Sequence, residues 1–138
     1  MLKSTLIHPQ ILSSLGSSGH GTEILIADGN FPFNTGANPE AERVYLNLAP
    51  GLVTVTQVLE VLITVVPVEA AYVMVPPDGK EPGIFSEFSE LLPNLDLQKL
   101  GRFEFYDRAR LPNAGLVIAT GEQRVYANII LTIGVVLP

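Results

Sequence analysis

The sequence predicts an α/β fold, a three-layer α/β/α single domain, from three observations. Short continuous apolar runs, Ile24-Leu25-Ile26-Ala27 and Ile129-Ile130-Leu131 among them, read as strands buried on both faces. Between such runs lie stripes with apolar residues three and four apart, the spacing of helices with one buried face. Glycine and proline punctuate the changes of period. Strands alternating with helices define a sheet covered on both sides. A length of 138 residues suits one domain, and no repeat, low-complexity tract or linker divides residues 1–138.

Pro9 opens a short helix that runs to Gly16, since proline suits a first turn and glycine a C-terminal end. Glu23 to Asp28 is the first strand, and residues 29–42, rich in Asn, Pro, Gly and Thr, are loop. Val44 to Leu48 reads as a short strand. Thr54 then opens a helix in which Val55, Val58, Leu59, Leu62, Ile63 and Val66 share one face. Thr54 and Gln57 fit a capping box, and Pro67 ends the helix. Ala70 to Val75 is a strand stopped by Pro76-Pro77-Asp78-Gly79. Ile84, Phe85, Phe88, Leu91 and Leu92 form a second helical stripe, closed by Pro93. Arg102 to Ala109 reads as a loop entering a short helix. Leu116 to Ala119 is a strand, and Tyr126 to Gly134 another whose apolar run suits a central position.

Charge and composition exclude several classes. The net charge is −6 and no Lys/Arg cluster is present, which argues against nucleic acid as a partner. Without cysteine there are no disulfides, thiolate metal sites or cysteine nucleophiles. Met1 to Pro9 lacks the long apolar run of a signal peptide. The most apolar segment, Leu52 to Val75, is broken by Gln57, Glu60, Pro67 and Glu69 and does not read as a membrane span. The expectation is a soluble cytoplasmic protein. Its 47% hydrophobic and 16% charged residues point to a homo-oligomer, because monomers rarely expose large apolar patches.

Three clusters can carry chemistry. Gly19-His20-Gly21 and Asp28 flank the first strand, which spans about 13 Å at about 3.3 Å per residue. His20 sits in a glycine-bounded turn able to fold toward either end. Asp28 leaves the strand at its carboxyl end, where ligands of open α/β sheets bind. In the second cluster, Thr120 to Asn128, Tyr126 and Asn128 are two apart on a predicted strand and so share a side. Phenol and amide together match the donors and acceptors of sugar hydroxyls. The third cluster, Arg102 to Ala109, mixes aromatic and charged residues and also suits a helix with a salt-bridged outer face. Each cluster alone has a plain structural reading too: Asp28 as a turn cap, His20 as a loop residue, Tyr126 packed on the sheet. His8, just ahead of Pro9, reads as structural. No GxGxxG, phosphate loop or clustered histidines are visible, so no cofactor and no metal are expected.

Taken together, these residues resemble the D-ribose pyranase and L-fucose mutarotase family (RbsD/FucU). The resemblance runs from Leu2-Lys3 and the Pro9 helix through Gly19-His20-Gly21-Thr22-Glu23-Ile24, Asp28 and Phe31-Pro32. It continues with Arg102-Phe103-Glu104-Phe105-Tyr106 and ends in Gly121-Glu122, Tyr126-Ala127-Asn128-Ile129-Ile130-Leu131 and Gly134-Val135. It implies a mixed, largely parallel sheet and a non-oxidative isomerase that interconverts the cyclic forms of a free monosaccharide. It further implies His20 as proton donor, with Asp28, Arg102, Tyr126, Ala127 and Asn128 binding the sugar. Arg102, Gly21 and Phe105-Tyr106 are similar to the fucose branch, whereas Ala127 is the residue of the pyranases. Tyr45 stands where the family tends to carry an acidic residue, and Arg110 to Ala114 is longer than in the fucose branch. Ring-like decamers or smaller oligomers are implied, with Tyr126 and Asn128 close to a neighbour's His20 and the C-terminal strand at or near an interface.

The chemistry fits the residues. Opening a hemiacetal needs one proton delivered to the ring oxygen and one removed from the anomeric hydroxyl. A histidine, with an ordinary pKa of about 6.5, serves in either direction. Arg102 can fix hydroxyls or stabilise developing alkoxide character. A non-catalytic sugar-binding accessory protein of an uptake system is the competing expectation, and it leaves the histidine without a task.

Overall fold

The computed structural model describes residues 1–138. Its elements are α1 (Pro9–Gly16), β1 (Glu23–Ala27), β2 (Glu42–Tyr45), α2 (Val55–Leu62), β3 (Val68–Met74), α3 (Ile84–Leu91), β4 (Leu97–Leu100), α4 (Arg102–Ala109), β5 (Ala114–Ala119) and β6 (Ile129–Ile133). The six strands form one sheet in the order β2-β5-β1-β6-β3-β4. The β2–β5, β5–β1 and β3–β4 pairs are parallel, and β6 runs antiparallel to both its neighbours. The sheet is thus mixed and largely parallel, as expected, with one reversed strand near its centre.

The continuous apolar runs are explained by burial on two faces. Ile24, Ile26, Leu116, Ile118, Ile129 and Leu131 point into a core shared with Ile11 of α1, Leu59 and Leu62 of α2 and Phe88 of α3. Their sequence neighbours Leu25, Ala27, Val117 and Ile130 point the other way, onto Phe105 and Ala109 of α4 and the loop residues Phe31, Ala37 and Ala41. Three helices therefore cover one face, and α4 with the loop after β1 covers the other. Leu59 and Leu62 are fully buried, and each such side chain contributes about 1.5–3 kcal/mol by transfer from water.

The helix ends follow local chemistry. Thr54 caps α2 as expected: the Gln57 amide donates to Thr54 Oγ1 at 3.3 Å and the Thr54 amide to Gln57 Oε1 at 2.9 Å. His8 is the N-cap of α1, its Nδ1 accepting from the Ile11 amide at 3.4 Å. α2 stops at Leu62 instead of continuing to Val66. The Thr64 and Val65 amides close tight three-residue turns on Val61 and Leu62, because the residue before Pro67 is pushed out of helical geometry.

Three other expectations are corrected. The second strand is Glu42–Tyr45, not Val44 to Leu48, because β2 is an edge whose pairing ends where β5 ends, at Tyr45 opposite Ala119. Arg102–Ala109 is a full helix that begins directly after Gly101. Tyr126 to Asn128 is not strand: Tyr126 has φ 59° and β6 begins only at Ile129, so the two-apart rule for strand faces does not apply to Tyr126 and Asn128. β4 was not expected at all. At Gly121, where the chain turns after β5, a side chain would lie 2.2 Å from the Leu52 carbonyl oxygen and 2.3 Å from that of Ala49, a close approach open only to glycine.

Candidate active site

Asp28 emerges at the carboxyl end of β1, and antiparallel β6 brings the residues just before it, Ala127 and Asn128, alongside. The Asp28 amide donates to Asn128 Oδ1 at 2.8 Å, while Asn128 Nδ2 donates to Asp28 Oδ2 at 2.9 Å. The Ala127 amide donates to the same Oδ2 at 3.2 Å, and the Asn30 amide to Oδ1 at 2.9 Å. Asp28 is 2% exposed and Asn128 4%. Burial pushes the Asp28 carboxyl above its ordinary range of 3.8, against the hydrogen bonds from Asn30, Ala127 and Asn128 that pull it down. The left-handed backbone of Tyr126 is uncommon for a bulky residue, and such conformations gather at functional sites.

These groups line a cavity of about 310 Å³ that Arg102, Tyr126, Phe31, Met74 and Tyr106 complete. Arg102, the first residue of α4, holds its guanidinium carbon 5.7 Å from the Tyr106 ring centroid and 5.8 Å from that of Phe103. The Tyr106 and Phe31 rings meet at 5.5 Å, and Phe31 meets Phe105 edge-on at 6.4 Å. The lining therefore combines carboxylate, amide and guanidinium groups with aromatic rings and a thioether. A pyranose has the same combination, hydroxyls at its edge and C–H groups on its face. Three surface hollows, of about 480, 510 and 370 Å³, are larger. The first is lined by polar and glycine or proline residues around the end of α1 and lacks any such apolar wall.

The walls are braced from behind. Arg43 of β2 donates to three carbonyls of the loop after β1: Nε to Phe33 at 2.9 Å, Nη1 to Ala41 at 2.8 Å and Nη2 to Ala37 at 3.5 Å. Tyr45 donates its hydroxyl to Asn34 Oδ1 at 2.6 Å. Glu122, 4% exposed, receives Arg124 Nε at 3.0 Å and Nη2 at 2.9 Å and the Val55 amide at 3.4 Å. Burial raises its pKa, but the Arg124 bonds prevail and hold it below the ordinary 4.5. This pairing anchors the segment that leads to Tyr126.

Of the expected site residues, Asp28, Arg102, Tyr126 and Asn128 meet in one cavity, and Ala127 joins them through its amide. His20 does not. Its turn lies before β1, at the opposite end of that strand from Asp28, where the Gly21 amide donates to the Ile133 carbonyl at 2.9 Å. His20 is 58% exposed and its Nε2 lies 3.1 and 3.0 Å from the two carboxylate oxygens of Glu69. Phe31, Met74 and Tyr106 were not singled out as pocket walls. Met74 ends β3, which runs parallel to β1 because both oppose β6, so the rule that placed Asp28 at a strand's carboxyl end also reaches Met74. No group of three or more His, Asp or Glu side chains converges to hold a metal, and no helix is long and apolar enough to cross a membrane.

A mixed sheet with an amphipathic cavity at the carboxyl ends of β1 and β3 defines a small-molecule-binding α/β protein. The chain belongs to the RbsD / FucU transport protein family, whose model matches residues 1–136. It is 38% identical to a fucose mutarotase of Mus musculus over 143 aligned positions, 94% of this chain and 90% of that protein. It is 32% identical to a D-ribose pyranase of Chloroflexus aggregans over 136 positions, 98% of this chain and 99% of that one. Its fold matches the crystal structure of the fucose mutarotase in complex with L-fucose from Streptococcus pneumoniae with a TM-score of 0.85 at 28% identity, covering 99% and 100% of the two chains.

Proposed function

We propose that the protein is a cofactor-free monosaccharide mutarotase that interconverts the anomers and ring forms of a free reducing sugar of the L-fucose type in the cytoplasm. The observation that carries this is the buried Asp28 carboxylate, held by Asn30, Ala127 and Asn128 at the floor of a half-polar, half-apolar cavity. Family membership and the similarity to fucose mutarotases support it. Asp28 is the base: burial favours its protonated form, so it accepts a proton more readily than an ordinary carboxylate. It takes the proton of the anomeric hydroxyl as the ring bond breaks. Arg102 and Tyr126 hold hydroxyls, and Phe31, Met74 and Tyr106 receive the C–H face and a 6-methyl group.

The proton for the ring oxygen comes from His20 of a neighbouring copy. Within one chain His20 and Asp28 lie at opposite ends of β1, so the reading requires a homo-oligomer, of decameric or smaller size, whose sites are shared between subunits. β6 itself is buried and paired on both sides. The exposed apolar tail Val135, Val136 and Leu137 is the C-terminal part free to reach a partner.

A second reading, D-ribose pyranase, is favoured by Ala127 and by the ribose pyranase relative. Magnetisation-transfer NMR on L-fucose and D-ribose tests both. Accelerated exchange between the α and β forms of L-fucose is expected, weaker with D-ribose. A protein that binds either sugar without accelerating exchange would be an accessory binding protein instead.

A further inference from the structure

A second hollow, of about 510 Å³, lies beside the cavity, and the sugar chemistry above makes no use of it. β1, β5 and β2 run parallel, so the loops that leave them emerge along one edge of the sheet, the edge where open α/β sheets bind ligands. Each loop brings one carboxamide to the hollow: Asn30 after β1, Asn47 after β2 and Gln123 after β5. All three residues are exposed, and none of their side chains has a hydrogen-bond partner within the chain. Leu48, Ala49 and Pro50 add an apolar border. The loops are tied through their backbones. The Gly29 amide donates to the Glu122 carbonyl at 2.9 Å and the Gly51 amide to the Gly121 carbonyl at 2.6 Å. The carboxamides are therefore presented from a fixed frame. Glu122, the one charged residue of the lining, is already paired with Arg124, so the hollow suits a neutral ligand. Asn30 also lines the cavity that holds Asp28, and the two spaces meet there.

We propose that this hollow is a second carbohydrate subsite, which holds a glycosyl unit attached to O2 of the sugar in the cavity. This rests on the mutarotase reading, in which the anomeric carbon faces Asp28. The Asn30 amide donates to that carboxylate at 2.9 Å, so the substituent nearest the anomeric carbon is the one that comes to Asn30. The anomeric carbon has two ring neighbours. One is the ring oxygen, which carries no substituent. The other is C2, so a group on O2 leads into the hollow. A carboxamide offers donors and an acceptor together, the combination that adjacent sugar hydroxyls need, and none of the three has to give up a bond within the chain. Leu48, Ala49 and Pro50 receive the C–H surface of the same unit. The substrate class thus extends from a free monosaccharide to a reducing disaccharide with a linkage to O2.

The test follows anomer exchange of L-fucose, 2-O-β-D-galactosyl-L-fucose and the 4-O isomer by magnetisation-transfer NMR. Wild type is compared with a double variant, Asn47→Ala with Gln123→Ala. Neither residue lines the cavity, and both are exposed. Wild type is expected to accelerate exchange of L-fucose and of the 2-O disaccharide and to leave the 4-O isomer at its rate in buffer. The double variant should keep wild-type kinetics on L-fucose, while its KM for the 2-O disaccharide rises roughly 10-fold through the loss of two hydrogen-bonding amides. Nitrogen-15 NMR of the side-chain amides reads binding directly: the Asn47 and Gln123 signals should move with the 2-O disaccharide and stay in place with L-fucose. A 2-O disaccharide that exchanges no faster than in buffer, a double variant with wild-type KM for it, or amide signals that it leaves unmoved would each overturn the subsite. Faster exchange of the 4-O isomer would overturn the O2 linkage and the proposal with it. Failure of the mutarotase reading shows separately, as L-fucose exchange left at its rate in buffer; the amide signals then still report whether the hollow takes the galactosyl unit.

Discussion

Asn128 grips Asp28 twice, accepting from its backbone amide at 2.8 Å and donating to its carboxylate at 2.9 Å. The two residues are 100 positions apart in the chain and both are buried. Asn128→Ala removes both bonds and leaves a buried amide unpaired. Unfolding by denaturant is expected to show a loss of about 1–3 kcal/mol, with sugar exchange falling to near background because the carboxylate is no longer held.

Asp28 also sets a pH dependence. Its folded-state pKa is raised above 3.8, so between these values the native state binds more protons than the unfolded chain. Its contribution to stability therefore decreases as pH rises from 3.8 through the folded value. Glu122 works in the opposite sense: its depressed pKa contributes stability above 4.5 that is lost as pH falls through the folded value. Activity should fall on acidification as Asp28 protonates, at a pH above that of an ordinary aspartate. Carbon-13 NMR of the Asp28 carboxyl, compared with the acid limb of the rate profile, checks the coincidence.

Arg43 is expected to act at a distance through the loop it ties. Arg43→Ala frees the carbonyls of Phe33, Ala37 and Ala41 and loosens the segment that places Phe31 against Tyr106. Stability should drop by about 1–3 kcal/mol and KM for the sugar should rise more than kcat falls. Thermal unfolding and exchange kinetics on the same sample measure both.

Arg102 is expected to set sugar preference. Its fixed charge beside the Tyr106 face suits a hexose with hydroxyls at the pocket edge, and Arg102→His shortens the reach and removes the permanent charge. The exchange ratio of L-fucose to D-ribose should shift toward ribose. An unchanged ratio measured by NMR on both sugars would separate Arg102 from substrate selection.

Much of the fold was legible because burial writes a period into the sequence. Ile129-Ile130-Leu131 is apolar at every position since β6 is covered on both faces, and the Thr54 capping box is a purely local device. β4 was hidden because Leu97-Gln98-Lys99-Leu100 is a short edge strand with one neighbour and two exposed polar residues. Asp28 was readable from its place after a strand, whereas the turn at Tyr126 was not. A left-handed tyrosine has no local sequence signal and is held by Ala127 and Asn128 docking on Asp28. The His20–Glu69 pair spans 49 residues and exists only through the strand order. Arg43 and Tyr45 likewise acquire a task only once the loop after β1 folds over them.

Subunit complementation tests the shared site most directly. His20→Ala removes the proposed proton donor and leaves the cavity intact; Asn128→Ala impairs the cavity and leaves His20 intact. Each variant alone should be nearly inactive in L-fucose anomer exchange. After confirmed subunit exchange, the proposed shared sites would combine an intact His20 from one chain with an intact Asp28 cavity from another, and exchange activity should return. Mixed oligomers as inactive as the separate variants, or an active species with the 14.9 kDa mass of one chain, would contradict it.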